Sequence, residues 1–185
     1  MHATAINVSR ILIPLHLCLT IAFLNIGVDH FGPILIPLNK GKLYVLLICY
    51  LQSLAVHLEL NQSLNLEDFL KSCARFFARR GLPILIRSDN ARTFISAALV
   101  LKEKHSIGWK FNISKAPWCG GVWERLIRNV KGSLKFALQN RRVTYVDLET
   151  SLCRIENIVN HRQMTYIITE SDEIVSVSYY GSTSR

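Results

Sequence analysis

The chain has 185 residues, half of them apolar, with 22 Lys plus Arg against 13 Asp plus Glu and a formal charge of +9. That length fits one domain with a sizeable core and excludes a second full domain, and the composition is globular rather than disordered. Five scattered cysteines (Cys18, Cys49, Cys73, Cys119 and Cys153) contain no Cys-x-x-Cys, which argues against a zinc ribbon or a disulfide scaffold and for reduced, buried thiols in an intracellular protein.

The opening is an apolar leader over residues 1–25. Ile11 to Val28 holds no Lys, Arg, Asp or Glu, but Pro14, His16, Asn25 and Gly27 interrupt it. A membrane span is therefore the weaker reading, and no stable membrane partner is expected. Ile26 to Pro37 reads as a strand carrying Asp29, followed by a turn at Leu38 to Lys42. Leu43 to Tyr50 and Leu54 to Leu60 are β-prone runs separated by Gln52-Ser53, as in a hairpin or meander. His57, Glu59 and Asn61 alternate with Val56, Leu58 and Leu60, which predicts a half-exposed edge strand.

Asn65 caps a helix with Asp68 three residues on, and Leu66, Phe69, Leu70, Cys73, Phe76 and Phe77 recur at helical spacing until Gly81. Ile84-Leu85-Ile86 is a short buried strand ending at Asp89. A helix over Phe94 to Lys104 and a strand over Trp109 to Ile113 follow. Ser114 to Gly121 reads as a loop, and Val122 to Leu138 as the strongest helix. Thr144, with Asp147 at the third position, starts a last helix buried through Leu148, Leu152, Ile155 and Val159. The Ser-rich segment 166–185 has β-branched residues but no evident partner. Strands joined by helices over residues 26–165 predict an α/β fold, a mixed sheet flanked by helices.

Three carboxylates stand out in an acid-poor chain. Asp29 lies on the first strand, Asp89 at the end of a buried strand, and Glu124 at the head of the long helix. Carboxylates at strand ends are poorly explained by packing. Three oxygen donors that converge from separate elements suit two Mg²⁺ or Mn²⁺ ions, which activate a nucleophile and stabilise a leaving oxygen in phosphodiester chemistry. The basic excess supports a polyanionic substrate. Between Asn90 and Arg142 there are eleven Lys or Arg and only two acids, Glu103 and Glu124, so this region attracts phosphate backbones. Steps of three and four place Glu124, Arg128, Lys131 and Lys135 on one helix side; alone, that pattern is better read as an ordinary solvated face, and together with Asp29 and Asp89 as a metal-binding head on a basic ridge. Lys115 adds to the basic surface, and Trp118 is a candidate for stacking on a base. Asn90 either positions Asp89 or ends the strand. Gly120 and Gly121 either allow close approach to DNA or release the chain into the helix.

These residues occur in a specific order: Gly27-Val28-Asp29-His30-Phe31-Gly32-Pro33, Ala55-Val56-His57-Leu58-Glu59-Leu60, Phe76-Phe77-Ala78-Arg79-Arg80-Gly81, Ser88-Asp89-Asn90, Trp109-Lys110-Phe111-Asn112, and Ala116-Pro117-Trp118-Cys119-Gly120-Gly121-Val122-Trp123-Glu124-Arg125-Leu126. Over approximately Gly27 to Thr165 the chain resembles the catalytic core of retroelement integrases, specifically those of Pao/BEL long-terminal-repeat retrotransposons. The resemblance implies a ribonuclease-H-like fold and DNA integration by 3′-end processing and strand transfer. It implies Asp29, Asp89 and Glu124 as the catalytic, metal-binding triad with Mg²⁺ or Mn²⁺, with DNA as partner, a homo-oligomer, and a nuclear location. Thirty-four residues separate Asp89 from Glu124. The sequence departs from the pattern at Ala91, where Gly is usual, at Arg92-Thr93, and at Asn160-His161-Arg162-Gln163. A left-handed turn at Ala91 would be strained. No counterpart of a His-His-Cys-Cys zinc domain or of a carboxy-terminal DNA-binding domain is read in these residues. The alternative expectation is therefore a catalytically inactive nucleic-acid-binding remnant.

Overall fold

In the computed structural model the described residues are 24–36, 41–112, 117–138, 144–161, 165–168, 174–178 and 181–183; for 36, 117–124 and the strands after 164 only the backbone is described. The apolar leader, except for its last two residues, and Lys115 lie outside them.

Five strands form one sheet: β1 (Asn25–Ile36), β2 (Gly41–Tyr50), β3 (Val56–Asn61), β4 (Leu85–Ser88) and β5 (Gly108–Phe111). Their spatial order is β3-β2-β1-β4-β5. β1 to β3 form an antiparallel meander, while β4 pairs in parallel with β1 and β5 in parallel with β4. The parallel joins are made through helical crossovers, α1 (Leu66–Arg80) and α2 (Arg92–His105). Helices α3 (Pro117–Leu138) and α4 (Tyr145–Asn160) complete the layers.

Strand alternation divides the apolar residues between two cores. Ile26, Val28, Leu46, Ile48 and Ile86 pack with Phe69, Phe76, Phe94 and Ala97 of α1 and α2. Phe31, Val45, Leu47, Leu58 and Leu60 pack with Leu126, Val130 and Leu134 of α3 and Leu148, Leu152, Ile155 and Val159 of α4. The expected helix starts are present: Asn65 accepts from the Asp68 N–H at 2.8 Å, and Thr144 and Asp147 form a reciprocal capping box. β1 is interrupted by a bulge between Phe31 and Ile34. Gly32 sits there with φ 140°, and a Cβ would come within 3.0 Å of the Leu43 carbonyl oxygen, so only glycine fits.

The half-exposed reading of β3 is corrected. β3 is an edge strand, yet His57, Glu59 and Asn61 are buried. Their face is covered by α1 and their polarity is met locally. Glu59 accepts from His57, Arg75 and Arg79, while Ser72 donates to Asn61. The outer backbone edge is also covered. Asn160 accepts from the Val56 N–H at 2.7 Å and donates to the Val56 carbonyl at 2.8 Å, and Glu156 accepts from the Leu58 N–H at 3.0 Å. Two side chains of α4 thus occupy groups that another strand would otherwise pair. Asn160→Ala is expected to cost about 1–3 kcal/mol, the usual penalty for stranding buried backbone groups. Hydrogen exchange at Val56 checks this: its amide should lose protection while amides within β1 keep theirs.

After residue 164, β6 (Thr165–Ile168), β7 (Ile174–Ser178) and β8 (Gly181–Thr183) pair antiparallel as a separate three-stranded sheet. The segment expected to lack a partner therefore pairs with itself. Among the described residues, no helix is long and apolar enough to cross a membrane.

Candidate active site

Asp29 stands in β1 with its side chain on the α3 and α4 face, because its neighbours Val28 and His30 point to the opposite core and Phe31 to its own. The His30 N–H donates to Asp29 Oδ1 at 2.7 Å. Burial pushes the Asp29 carboxyl up to about 6; that hydrogen bond and the Lys131 cation oppose the rise, and the charge of Asp89 adds to it.

Asp89 follows β4. The parallel pairing of β1 with β4 runs through Ile26 to Ile86 and Gly27 to Arg87, and each acid follows that last paired row by two residues. The charge of Asp89 is felt at Asp29, so the two acids lie near each other although 59 residues intervene between them. The turn holding Asp89 is pinned from several sides. Asp89 Oδ1 accepts from the Ala91 N–H at 2.9 Å, the Asn112 N–H donates to the Ser88 carbonyl at 2.8 Å, and the Trp109 indole donates to Ser88 Oγ at 3.0 Å. Asn90 donates to the Asn112 carbonyl at 3.4 Å, tying the turn to the end of β5. Ala91 has φ −61° and ψ 142° as the N-cap of α2. The strain expected from the missing glycine is absent, since extended backbone suits any residue there.

Helix α3 crosses the same face. Leu126, Val130 and Leu134 are buried beneath it, whereas Arg128, Lys131 and Lys135 are exposed. Lys131 Nζ lies 5.6 Å from the centre of the Phe31 ring, two residues beyond Asp29. The basic ridge thus reaches the acid pair at Lys131. Glu124 is seven residues earlier, two turns along the same helical stripe. Its side chain, like that of Trp118, lies outside the described residues. The backbone still corrects one expectation: Gly120 and Gly121 belong to α3, which starts at Pro117 rather than after a loop. Proline at the first helical position suits that start, because its missing N–H would be unpaired there anyway.

The structure therefore brings together Asp29, Asp89 and Lys131, with Asn90 supporting the turn. No cluster of three His, Cys, Asp or Glu able to hold a metal is found among the described residues. Asp29 feels the charge of Asp89, and carboxylate oxygens are the donors that a hard divalent cation takes.

Sequence reading missed His30. Its ring stacks on Phe94 at 5.1 Å with a 1° interplanar angle, and meets Phe69 edge-on. Burial lowers its pKa to about 4, so the ring is neutral at pH 7 and packs with Phe69 and Phe94 on the face opposite Asp29. The only signal in the sequence was its position between two residues of opposite facing.

No protein-family model and no curated protein matches the chain. Solved structures do. The catalytic core domain of the HTLV-2 integrase, determined with magnesium in a dimeric form, aligns with a TM-score of 0.62 at 14% identity, over 78% of this chain and 90% of that one. The simian T-cell lymphotropic virus intasome, solved with a PP2A regulatory subunit, aligns with a TM-score of 0.61 at 17% identity, over 81% of this chain and 51% of that one. At these identities the likeness is one of fold: a ribonuclease-H-like mixed sheet flanked by helices, as in retroviral integrase cores.

Proposed function

We propose that residues 26–165 are the catalytic core of a Pao/BEL-type retrotransposon integrase, which processes the 3′ ends of element DNA and transfers them into target DNA. What supports this reading is that Asp29 and Asp89 each follow the last paired row of β1 and β4 by two residues and that Asp29 feels the charges of both Asp89 and Lys131. Asp29, Asp89 and Glu124 would hold two Mg²⁺ or Mn²⁺ ions. Bound there, the ions supply Lewis-acid polarisation of a phosphoryl group and lower the basicity of the attacking and leaving oxygens.

The chain's own residues bind and orient. Asp29 is a ligand only when ionised, and with its carboxyl near 6 it is ionised at pH 7 and above. The cation of Lys131 stabilises that state and stands beside the site to meet a phosphate. Arg128, Lys135 and Lys115 extend the contact along the backbone, and Trp118 stacks on a base. Asn90 keeps the Asp89 turn fixed against β5. A homo-oligomer, action in the nucleus, an apolar leader over 1–25 and a distinct tail over 166–185 belong to the same proposal.

The test is a strand-transfer assay with end-labelled duplex DNA, with and without Mn²⁺ or Mg²⁺. Products that form only with the divalent ion are expected, with yield rising between pH 5 and 7 as Asp29 ionises. DNA binding without products at any ion concentration would reduce the chain to a binding remnant. Lys131→Ala with Lys135→Ala should weaken DNA binding and flatten its salt dependence by about 0.9 per lost phosphate contact on duplex DNA.

A further inference from the structure

Arg87 and Lys110 are paired in register on β4 and β5. Ile86 and Ser88 are buried towards α1 and α2, and Trp109 packs on that core, so Arg87 and Lys110 point to the opposite face, the one that carries Asp29. Gly27 of β1 lies in the same row, the last that β1 and β4 share, and Asp29 and Asp89 each follow it by two residues. Two residues of strand rise amount to about 6.6 Å. The cations therefore sit one step back from the acid pair.

Simple structural roles explain part of this. A lysine on an edge strand discourages sheet growth, and an arginine stem covers apolar surface. They do not explain why two like charges stand directly opposite each other, an arrangement that destabilises a sheet. Nor do they explain Arg87 Nε, which is buried with no hydrogen-bond partner among the described residues. Neither side chain forms a salt bridge among the described residues. Buried donors of this kind ordinarily have an acceptor. A guanidinium fork with a neighbouring ammonium is matched to the oxygens of a phosphodiester.

We infer that Arg87 and Lys110 form a phosphate site for the DNA strand one step from Asp29 and Asp89, a site that registers the backbone against the acid pair. This deepens the integrase reading and rests on it for the identity of the strand. The row positions DNA; it does not take part in bond making.

The experiment measures binding in EDTA, so that catalysis plays no part. A 20-base-pair duplex is titrated into the full chain while the Nε–H resonance of Arg87 is followed by NMR, assigned by its loss in Arg87→Lys. Affinity is measured across salt for Arg87→Gln, Lys110→Gln and the double variant. The expected results are a shift of the Arg87 resonance on adding duplex and a salt slope shallower by about 0.9 for each removed contact. Arg87→Lys should keep the slope. An unmoved resonance, or an unchanged slope in a double variant that stays folded by circular dichroism, overturns the site. If Arg87→Gln fails to fold, Lys110→Gln at the exposed position and the wild-type resonance decide alone. Strand transfer that works while the slope is unchanged would sink the row and leave the integrase reading standing. A lowered slope with no strand transfer would keep a phosphate row on a chain that only binds.

Discussion

Asp89→Asn is expected to lower divalent-dependent strand transfer by about 10³-fold while leaving DNA affinity at fixed salt within about twofold. The reasoning is that a metal ligand contributes several kcal/mol of charge stabilisation in the transition state, and each 1.36 kcal/mol is tenfold in rate. The substitution is close to isosteric. The amide oxygen can still accept from the Ala91 N–H that closes the turn, and the bonds through Ser88, Trp109 and Asn112 are untouched. What disappears is charge. A second readout therefore accompanies the first: the Asp29 carboxyl, held up to about 6 by burial and then by the charge of Asp89, should titrate lower in the variant. Carboxyl-carbon NMR against pH measures it. If Asp29 titrates unchanged, the two acids do not share a site. If strand transfer also proceeds at the wild-type rate, the assigned chemistry is wrong.

The second large effect is on stability. Glu156→Ala should destabilise the fold by about 3–5 kcal/mol, the range for removing one partner of a buried ion pair, and lower the melting temperature by about 10 °C. His57 lies between Glu59 at 3.0 Å from Nε2 and Glu156 at 3.2 Å from Nδ1. Both ring nitrogens face carboxylate oxygens, which only accept, so the ring carries both protons. Burial alone would lower the His57 pKa, but hydrogen bonds to Glu156 and Glu59 outweigh it and the net shift is upward. Burial would likewise raise both acids, yet Glu59 is lowered by His57 and Arg75, and Glu156 by His57, the Leu58 N–H and Arg80.

The signs fix a pH window. The raised histidine stabilises fully below its unfolded value near 6.5 and loses that contribution as pH rises through the folded pKa. The lowered glutamates stabilise above about 4.5 and lose it as pH falls through theirs. Asp29, raised to about 6, favours the fold when protonated, an advantage that erodes as pH climbs towards 6, whereas His30, lowered to about 4, gains stability for the fold as pH rises from about 4 to 6.5, so these two largely offset each other. The melting temperature should therefore peak between about pH 4.5 and 6.5 and decline towards pH 9. In Glu156→Ala the decline on the alkaline side should flatten. Differential scanning calorimetry across pH measures both, and a wild-type curve that rises from pH 6 to 9 would contradict the charged-histidine arrangement.

How much of this could be read from residues alone depended on how local the information was. The caps at Asn65 and Thr144 were legible because each is closed by a residue three positions away. The two-faced strands and helical stripes were legible from periodicity. β3 was misread because alternation was taken to mean water on the polar side. That side is met instead by α1, and the strand's edge by residues about a hundred positions away in α4, which no window of sequence contains. The glycine pair at 120 and 121 suggests a loop, but Pro117 is the first residue of the helix that contains both. At the site, the acids were recognisable by chemistry, but their alignment follows from the parallel pairing of β1 with β4. The row of Arg87 and Lys110 likewise follows from the parallel pairing of β4 with β5. The Ala91 concern assumed a left-handed turn, and only the backbone angles removed it.

The fastening of Asn160 onto Val56 also bears on how such a chain decays. A copy drifting without selection can keep every carboxylate and still lose this one amide, which would leave an open seam along the sheet's outermost strand. Its first symptom would then be clumping at ordinary concentrations, with the acid pair still intact in whatever fraction stayed in solution.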